Sequence, residues 1–232
     1  MSAVPVGLLY DIHGNLPALE AVLGDAGRAD VESFVLGGDY ALFGPWPAQT
    51  VERLHGLPEA SWIRGNGERW TAAPDEAPDD DVVQAAIAAS REALGDEAVR
   101  DLAALPEQVA LDGRRFCHGS PVSDVRSFLP EPGADEAELL AGVEERTLVF
   151  GHTHLPFSRT AEDGIRLVNP GSVGMPFDGD TRAAWAVIHP DGQIEHRRVA
   201  YDADGTAAAA RERNPGFGAT VARRIEAARF DV

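Results

Sequence analysis

Five short apolar segments of the chain each run into a polar cluster beside a glycine, and this arrangement constrains the fold more than any other feature. The segments are PVGLLY, ESFVLGG, SWIRG, RRFC and RTLVFG, and helical stretches separate the first three. Short strands that alternate with amphipathic helices indicate an α/β layered fold. In open α/β sheets ligands bind beyond the carboxyl ends of the strands, so we expect the polar clusters to share one site.

The apolar periodicity places individual elements along the chain. Strands are predicted at 5–10, 32–38 and 59–66, with helices at 16–26 and 47–57. Residues 71–81 are acidic and contain prolines, which predicts a solvated loop, and one or two helices follow at 82–104.

The rest of the chain is predicted to be rich in strands and to end in a helical tail. Two hairpins are predicted to turn at Asp112-Gly113 and Asp191-Gly192. A basic amphipathic helix is predicted near 218–229. No domain boundary is evident, so we expect one domain over 1–232 with a C-terminal helical tail from about residue 204.

Composition narrows the class of protein. Hydrophobic residues make up 44% of the chain, the formal net charge is −18, and all 20 basic residues are arginine. Such a charge disfavours nucleic-acid polymers, whose binding depends on neutralising phosphates. No segment is apolar enough to span a bilayer, and the N-terminal stretch lacks the basic residues of a signal peptide. With a single cysteine, Cys117, expected in the core, we expect a cytoplasmic protein without membrane contact.

The polar clusters supply seven side chains of the types that bind metals. They are four imidazoles, two carboxylates and one amide: Asp11, His13, Asp39, Asn66, His118, His152 and His154. Residues i and i+2 of an extended chain point the same way, which pairs Asp11 with His13, and His152 with His154. Imidazole suits zinc and iron, whereas carboxylate and carbonyl oxygen suit manganese and magnesium. Seven ligands exceed the needs of one ion and suit two ions that share one carboxylate.

In these residues the sequence resembles the calcineurin-like metallophosphoesterase superfamily, whose pattern is D-x-H, G-D, G-N-H-[DE], H and G-H-x-H. Segments 38–47, 118–121 and 169–187 resemble its compact bacterial and archaeal branch. The resemblance covers residues 6 to about 199. It implies a four-layer α/β/β/α sandwich of two mixed β-sheets.

The resemblance also implies how the ligands are shared between two metal ions. One ion would be held by Asp11, His13 and His154, the other by Asn66, His118 and His152, with Asp39 bridging both. A hydroxide between the ions would attack phosphorus, and Asp39, Asn66 and His118 would be catalytic as metal ligands that activate it. We expect divalent ions, Mn²⁺ first, with Fe, Zn, Ni, Co or Mg as alternatives. The implied activity is hydrolysis of phosphodiester or phosphoanhydride bonds in small or nucleotide substrates.

One stretch, RGNGERW at 64–70, departs from the family pattern. It places Asn66 between Gly65 and Gly67, which predicts a tightly bent backbone, and Gly67 stands where relatives carry a histidine that orients substrate or protonates the leaving group. General-acid help is typically worth ~10²–10⁴ in rate. Its loss matters least for good leaving groups, so we expect phosphodiesters and phosphoanhydrides, including dinucleoside polyphosphates, rather than alkyl monoesters. The sequence leaves open whether Glu68, a water or nothing at all replaces the histidine.

Further residues near the clusters are candidates for substrate contact. They are Asn15, Tyr40, Gly67, Arg126 and Arg182. Four of them also have a purely structural interpretation: a helix cap for Asn15, a partly buried ring for Tyr40, and exposed ion pairs for the two arginines.

Two other functions remain as alternatives at this point. A phosphoprotein or phosphomonoester phosphatase is disfavoured by Gly67, because such relatives carry the histidine. A non-catalytic metal-binding scaffold, as in the superfamily's retromer component, is disfavoured by the complete ligand set. The oligomeric state is open, and the helix near 218–229 is either an interface or a surface helix.

Overall fold

The computed structural model of the protein describes residues 4–231, which form two five-stranded sheets with flanking helices. The strands are β1 (Val6–Leu9), β2 (Ser33–Leu36), β3 (Ala60–Trp62), β4 (Gln108–Leu111), β5 (Arg114–Cys117), β6 (Thr147–Val149), β7 (Phe157–Thr160), β8 (Arg166–Asn169), β9 (Ala183–Ile188) and β10 (Ile194–Val199). The helices are α1 (Leu16–Arg28), α2 (Pro47–His55), α3 (Asn66–Ala72), α4 (Asp81–Ala103), α5 (Glu136–Leu139), α6 (Ala203–Arg213) and α7 (Gly218–Ala227). Residues 1–3 of the predicted N-terminal stretch and residue 232 of the predicted tail lie outside the described residues.

The first sheet has the strand order β10-β9-β1-β2-β3. Strands β1, β2 and β3 are parallel, and β9 is antiparallel to both β1 and β10. Parallel neighbours require a crossover connection, which α1 and α2 provide. Because both faces of the sheet are covered at β9, all six of its residues are buried, and Trp185 at its centre is fully buried.

The second sheet has the order β4-β5-β6-β8-β7, with β5, β6 and β8 parallel. The hairpin that joins β4 to β5 turns at Asp112-Gly113, where φ is 49° and 72°. Both values are positive, as a type I′ turn requires, and the predicted hairpin is confirmed. The second predicted hairpin, at Asp191-Gly192, joins β9 to β10 and is also confirmed.

Apolar clusters hold the layers together. Leu8, Val35, Phe116 and Val149 belong to the cluster shared by the two sheets, and another cluster joins the first sheet to α1 and α2. Outside the second sheet, Phe128 belongs to a third cluster that is covered by loops and by the four-residue helix α5. The predicted α/β/β/α sandwich is confirmed, although its fourth layer is thin.

Helices α4, α6 and α7 pack together against one end of the sandwich. Val221 and Ile225 of α7 are buried there with Ile87 of α4 and Ala207 of α6. Helix α4 contains a kink at Gly95, where φ is 76°, so it consists of two helical segments, within the predicted one or two helices. No helix among residues 4–231 has the length and apolar character to cross a membrane.

Two local predictions need correction. The predicted loop at 71–81 is shorter than expected, because α3 extends to residue 72, a 3₁₀ turn spans Pro74–Glu76, and α4 begins at residue 81. Helix α3 itself was not predicted, since its first residues, Asn66 and Gly67, suggested a loop. The predicted core position of Cys117 is confirmed, and its burial raises the pKa of the thiol.

Candidate metal centre

The seven predicted ligands lie together where strands of both sheets end. Five segments deliver them: the turns after β1, β2 and β6, the first residue of α3, and the residue after β5. Six of the seven have an exposed fraction of 6% or less, and His152 is partly exposed. The structure therefore brings together Asp11, His13, Asp39, Asn66, His118, His152 and His154.

Most of these residues have an unusual backbone conformation. Asp11, His13, Asp39, His152 and His154 have φ values between 50° and 67°, in the left-handed region. They are five of the nine non-glycine residues with positive φ within residues 4–231. Such a conformation costs on the order of 1 kcal/mol or more per residue and is concentrated at functional sites. The extended backbone expected for Asp11 with His13, and for His152 with His154, is therefore wrong, because each pair lies in a tight turn.

Asp11, His13 and His154 form a first group of candidate ligands. Nδ1 of His13 donates to the carbonyl of Leu42 at 3.0 Å, and Nδ1 of His154 donates to that of Met175 at 2.6 Å. A carbonyl only accepts, so each neutral ring presents an unprotonated Nε2. The two Nε2 atoms lie 3.0 Å apart, and Oδ1 of Asp11 is 3.6 Å from Nε2 of His154. The lone pairs of the two Nε2 atoms and of the Asp11 oxygen therefore converge, with no proton between the two rings.

Asn66, His118 and His152 form a second group of the same kind. Nδ1 of His118 donates to the carbonyl of Gly37 at 2.8 Å, which turns its Nε2 toward Asn66. A hydrogen bond to the Val125 backbone holds the His152 ring. Nε2 of His118 and Nδ1 of His152 each lie 2.9 Å from Oδ1 of Asn66.

The orientation of the Asn66 amide distinguishes a metal site from a hydrogen-bonded cluster. With the amide turned end for end, Nδ2 would donate to His118 and His152 at 2.9 Å and to the carbonyl of Asp124 at 3.3 Å. In the opposite orientation Oδ1 of Asn66 faces both histidine nitrogens, where it could serve as a ligand to a cation. The first orientation is the one that hydrogen bonding alone favours, and the second is the one that a bound cation would favour.

Asp39 lies between the two groups. Its Oδ2 is 3.8 Å from Nε2 of His13, and its Oδ1 is 3.5 Å from Nε2 of His118. One carboxylate therefore presents an oxygen to each group. Ligand atoms bound to one ion at about 2.1 Å stand about 3 to 3.5 Å apart, so the separations in both groups are close to those of a coordination shell.

Burial sets the charge of these residues in the absence of metal. Desolvation, as the largest cause, raises the pKa of Asp11 to about 8 and that of Asp39 to about 7. Desolvation also lowers the pKa of His13 and His152 to about 3, and that of His154 well below its usual value. These three rings are neutral ligands at neutral pH, and the carboxylates release protons when a cation binds. The donor set therefore fits divalent cations in both groups.

The glycines on either side of Asn66 are required by the close approach of Asp39. A β-carbon on Gly65 would stand 2.3 Å from Oδ1 of Asp39, and one on Gly67 would stand 2.9 Å from the same oxygen. Gly65 has a φ of −93°, which any residue can adopt. The prediction that these glycines serve a tightly bent backbone is therefore wrong. They instead leave space for the Asp39 carboxylate at the start of α3.

Glu68 is not available as a proton donor to the site. Its Oε2 accepts hydrogen bonds from the backbone N–H groups of Asp39 and Gly65 at 2.9 and 2.8 Å, and its Oε1 accepts one from Tyr40 at 2.8 Å. The side chain is buried and does not line the cleft. Glu68 instead joins the turn after β2 to the start of α3, and so positions Asp39 relative to Asn66.

Asn15 caps a helix, and the expectation that it contacts substrate is corrected by its hydrogen bonds. Its Oδ1 accepts from the N–H of Ala18 at 3.2 Å, at the start of α1. Its Nδ2 donates to the carbonyl of Gly174 at 2.8 Å and to the hydroxyl of Tyr201 at 3.2 Å. Both amide hydrogens are therefore used within the protein.

Tyr40 is a core residue, which corrects the expectation that it lines the pocket. Its side chain is fully buried, and its hydroxyl lies 2.6 Å from the carbonyl of Ile63 and 2.8 Å from that of Leu36. Its ring packs edge-on against Trp62 at 4.9 Å. The hydroxyl has no route to a substrate.

The two candidate arginines both form exposed ion pairs. Arg126 lines the cleft but is held by Asp135 and Glu138 at 3.0 and 2.7 Å. Arg182 pairs with Asp180 at 2.7 Å and lies outside the cleft lining, so the expected substrate contact of Arg182 is corrected.

The ligands open into a cleft of about 1100 Å³. Its walls include residues that were missed from the sequence: Phe43, Trp70, Phe177, Arg224 and Phe230. No sequence motif marks the aromatic residues. The only signal for Arg224 was the predicted basic helix near 218–229, which α7 matches.

Comparison with known proteins gives consistent matches. A model of the calcineurin-like phosphoesterase superfamily domain matches residues 5–192. The chain is 30% identical over 192 residues to the phosphodiesterase YfcE of Escherichia coli, covering 78% of this chain and 85% of that protein. It is 27% identical over 219 residues to the uncharacterized protein MJ0912 of Methanocaldococcus jannaschii, covering 85% and 88%. Its structure matches that of a metallophosphoesterase from Sphaerobacter thermophilus with a TM-score of 0.83 and 28% identity, covering 98% and 100%.

Proposed function

The chain belongs to the calcineurin-like phosphoesterase superfamily, and we propose that it hydrolyses phosphodiester or phosphoanhydride bonds with the help of two divalent metal ions. The observation that carries this proposal is the convergence of unpaired ligand atoms in two groups. In the first group Nε2 of His13 faces Nε2 of His154 at 3.0 Å, while Nδ1 of each ring donates to a carbonyl. Two facing acceptor nitrogens are unfavourable without a cation and favourable with one. In the second group Nε2 of His118 and Nδ1 of His152 each lie 2.9 Å from Oδ1 of Asn66, which brings three further ligand atoms together.

The ligands divide between the two ions as the two groups suggest. One ion would be held by Asp11, His13 and His154, the other by Asn66, His118 and His152, and Asp39 would serve both. When bound, two such ions lower the pKa of water and neutralise charge on the phosphoryl oxygens. The protein's part is to position the ligands through the carbonyls that fix the histidine rings and through Glu68, which holds the Asp39 turn.

The substrate class follows from the cleft and from the charge of the chain. A cleft of about 1100 Å³ accommodates a nucleotide-sized molecule. The net charge of −18 disfavours nucleic-acid polymers. The relative YfcE is named a phosphodiesterase, which supports diesters as substrates. We take small phosphorylated or nucleotide substrates as the class and Mn²⁺ as the first metal to test, because the site mixes nitrogen and oxygen ligands.

Hydrolysis of bis(p-nitrophenyl) phosphate by metal-stripped protein tests this function. The assay adds Mn²⁺, Zn²⁺, Mg²⁺, Co²⁺ or Ni²⁺ in turn, and we expect release of p-nitrophenolate with at least one of them. The variant His118→Ala should lose the activity. His189→Ala is the matched control, since His189 pairs with Glu195 at the surface and should leave the rate unchanged. Metal binding without hydrolysis of diesters, monoesters or anhydrides would favour a scaffold.

A further inference from the structure

Residues that follow the matched domain build one wall of the cleft. The match to the family ends at residue 192, whereas Arg224, Arg229 and Phe230 line the cleft that holds the candidate ligands. Helix α7 ends at Ala227, and the next residue, Ala228, has a φ of 48° that turns the chain back. The carbonyl of Ala228 accepts a hydrogen bond from the N–H of Gly179 at 3.0 Å, which fixes this turn beside the loop after β8.

Aromatic rings extend along this wall from a candidate metal ligand. The ring of Phe177 stacks on the imidazole of His154 with centroids 4.3 Å apart and an angle of 14°. Phe230 packs edge-on against Phe177 at 5.5 Å and remains 56% exposed. A planar substituent that extends from the metal centre along this wall would therefore contact the rings of Phe177 and Phe230.

Arg224 places a positive charge on the same wall. Its guanidinium carbon lies 4.2 Å from the centroid of the Phe230 ring, and its Nε donates to the Phe230 carbonyl at 3.2 Å. Burial lowers the pKa of Arg224, and the charges of Asp80 and Asp231 partly offset this, yet within residues 4–231 Arg224 forms no ion pair. Its half-buried position therefore leaves guanidinium N–H groups without a carboxylate partner, in contrast to the doubly paired Arg126.

We propose that Arg224, Phe177 and Phe230 form a subsite for the part of the substrate beyond the reacting phosphorus. The rings bind the planar base of a nucleoside, since base–aromatic stacking needs only a π-face on each partner. The guanidinium binds a second phosphate on that nucleoside through charge-assisted hydrogen bonds. The subsite rests on the proposed function, because that function places the reacting phosphorus at the metal centre.

Binding of thymidine 3′,5′-bisphosphate to the Mn²⁺-loaded full chain tests the subsite without turnover. Calorimetry should show that Arg224→Gln weakens binding about tenfold, the effect of one hydrogen bond to a charged group, and that Arg224→Lys weakens it less. Arg223→Gln is the matched control, because Arg223 is exposed, bonds to Thr220 and lies outside the cleft lining. Equal affinities of the wild type and Arg224→Gln, or no binding by the wild type, would overturn the inference.

A series of p-nitrophenyl diesters then tests the subsite in turnover with one leaving group throughout. The second group on phosphorus is methyl, thymidine, or thymidine 3′-phosphate. We expect kcat/KM to rise along the series, chiefly through KM. Phe230→Ala should reduce the gain from methyl to thymidine about tenfold. Arg224→Gln should reduce the gain from thymidine to thymidine 3′-phosphate by a similar factor.

The two experiments separate the subsite from the proposed function. If the bisphosphate binds through Arg224 but no ester is hydrolysed, the proposed function fails and the subsite stands. If the esters are hydrolysed and Arg224→Gln keeps the wild-type selectivity along the series, the subsite is overturned and the proposed function stands.

Discussion

The backbone N–H of Gly67 donates to Oδ1 of Asp39 at 2.7 Å, and a β-carbon at residue 67 would stand 2.9 Å from that same oxygen. The departure from the family pattern at Gly67 is therefore coupled to the carboxylate that lies between the two ligand groups. Any side chain at residue 67 must displace either the Asp39 carboxylate or the start of α3. Replacing the glycine by histidine thus tests more than the return of a proton donor.

Gly67→Ala should weaken metal binding and diester hydrolysis together. The added methyl group displaces Oδ1 of Asp39, and a shift of one ligand typically costs 10-fold or more in metal affinity or activity. Calorimetric titration with Mn²⁺ and a diester assay measure both effects. Gly27→Ala is the control, since a β-carbon there meets nothing within 4 Å and lies within α1. Unchanged metal affinity in Gly67→Ala would contradict the contact with Asp39.

Glu68→Gln should destabilise the protein by about 1–3 kcal/mol, because one of the three backbone N–H groups then faces an NH₂ group. Urea unfolding of the metal-stripped variant measures the loss. The matched control is Glu76→Gln, which removes an exposed ion pair with Arg69 and should cost far less. Glu68→Gln should leave the dependence of rate on leaving-group pKa unchanged. A changed dependence would instead make Glu68 a proton donor.

Diester hydrolysis should slow steeply as the leaving group becomes more basic. Gly67 has no side chain to donate a proton, and the carboxylate of Glu68 is occupied by three backbone amides. The measurement is kcat for a series of methyl aryl phosphates, from p-nitrophenyl to unsubstituted phenyl. A rate that hardly varies along the series would show that a general acid acts in the site.

Stability of the metal-stripped protein should fall as pH rises from about 6.5 to about 8. Asp11, with its pKa raised to about 8, and Asp39 and Glu68, with pKa values raised to about 7, hold protons in the folded state that the unfolded state has released. The histidines with lowered pKa values oppose this trend only in part, because their unfolded rings bind about half a proton each at pH 6.5 and almost none by about pH 7.5. The folded state then binds more protons, so the free energy of unfolding decreases, on the order of 2 kcal/mol over this range.

Urea unfolding at several pH values checks this pH dependence. Asp11→Asn should reduce the slope, because it removes the carboxyl group with the higher pKa. Added Mn²⁺ should reverse the slope, since cation binding releases these protons. A free energy of unfolding of the metal-stripped protein that stays constant or rises between pH 6.5 and pH 8 would contradict the raised pKa values.

The parts of the fold that could be predicted from sequence depend on local signals. Apolar runs predicted β1, β2 and β3, and the Asp-Gly pairs predicted both hairpins because type I′ turns need residues that accept positive φ. Polar residues placed directly after strands indicated the seven candidate ligands, since strand ends of one sheet lie at a common edge.

What could not be predicted depends on contacts between distant segments. Tyr40 follows Asp39 in sequence, yet its ring enters the core and meets the carbonyl of Ile63. The need for glycine at residues 65 and 67 comes from a carboxylate 28 residues away from Gly67, as the bond between them shows. The wall formed by Arg224 and Phe230 comes from α7 and the residues after it, which follow the family motifs in sequence and pack on the domain.

Titration of the metal-stripped protein with Mn²⁺, with bound ions counted by electron paramagnetic resonance and diester hydrolysis followed in the same samples, tests the central claim. The seven-ligand site predicts two ions per chain, magnetically coupled because they share Asp39, and hydrolysis that reaches its maximum only when the second ion is bound. Saturation at one ion per chain, or full activity with one, would contradict a binuclear centre.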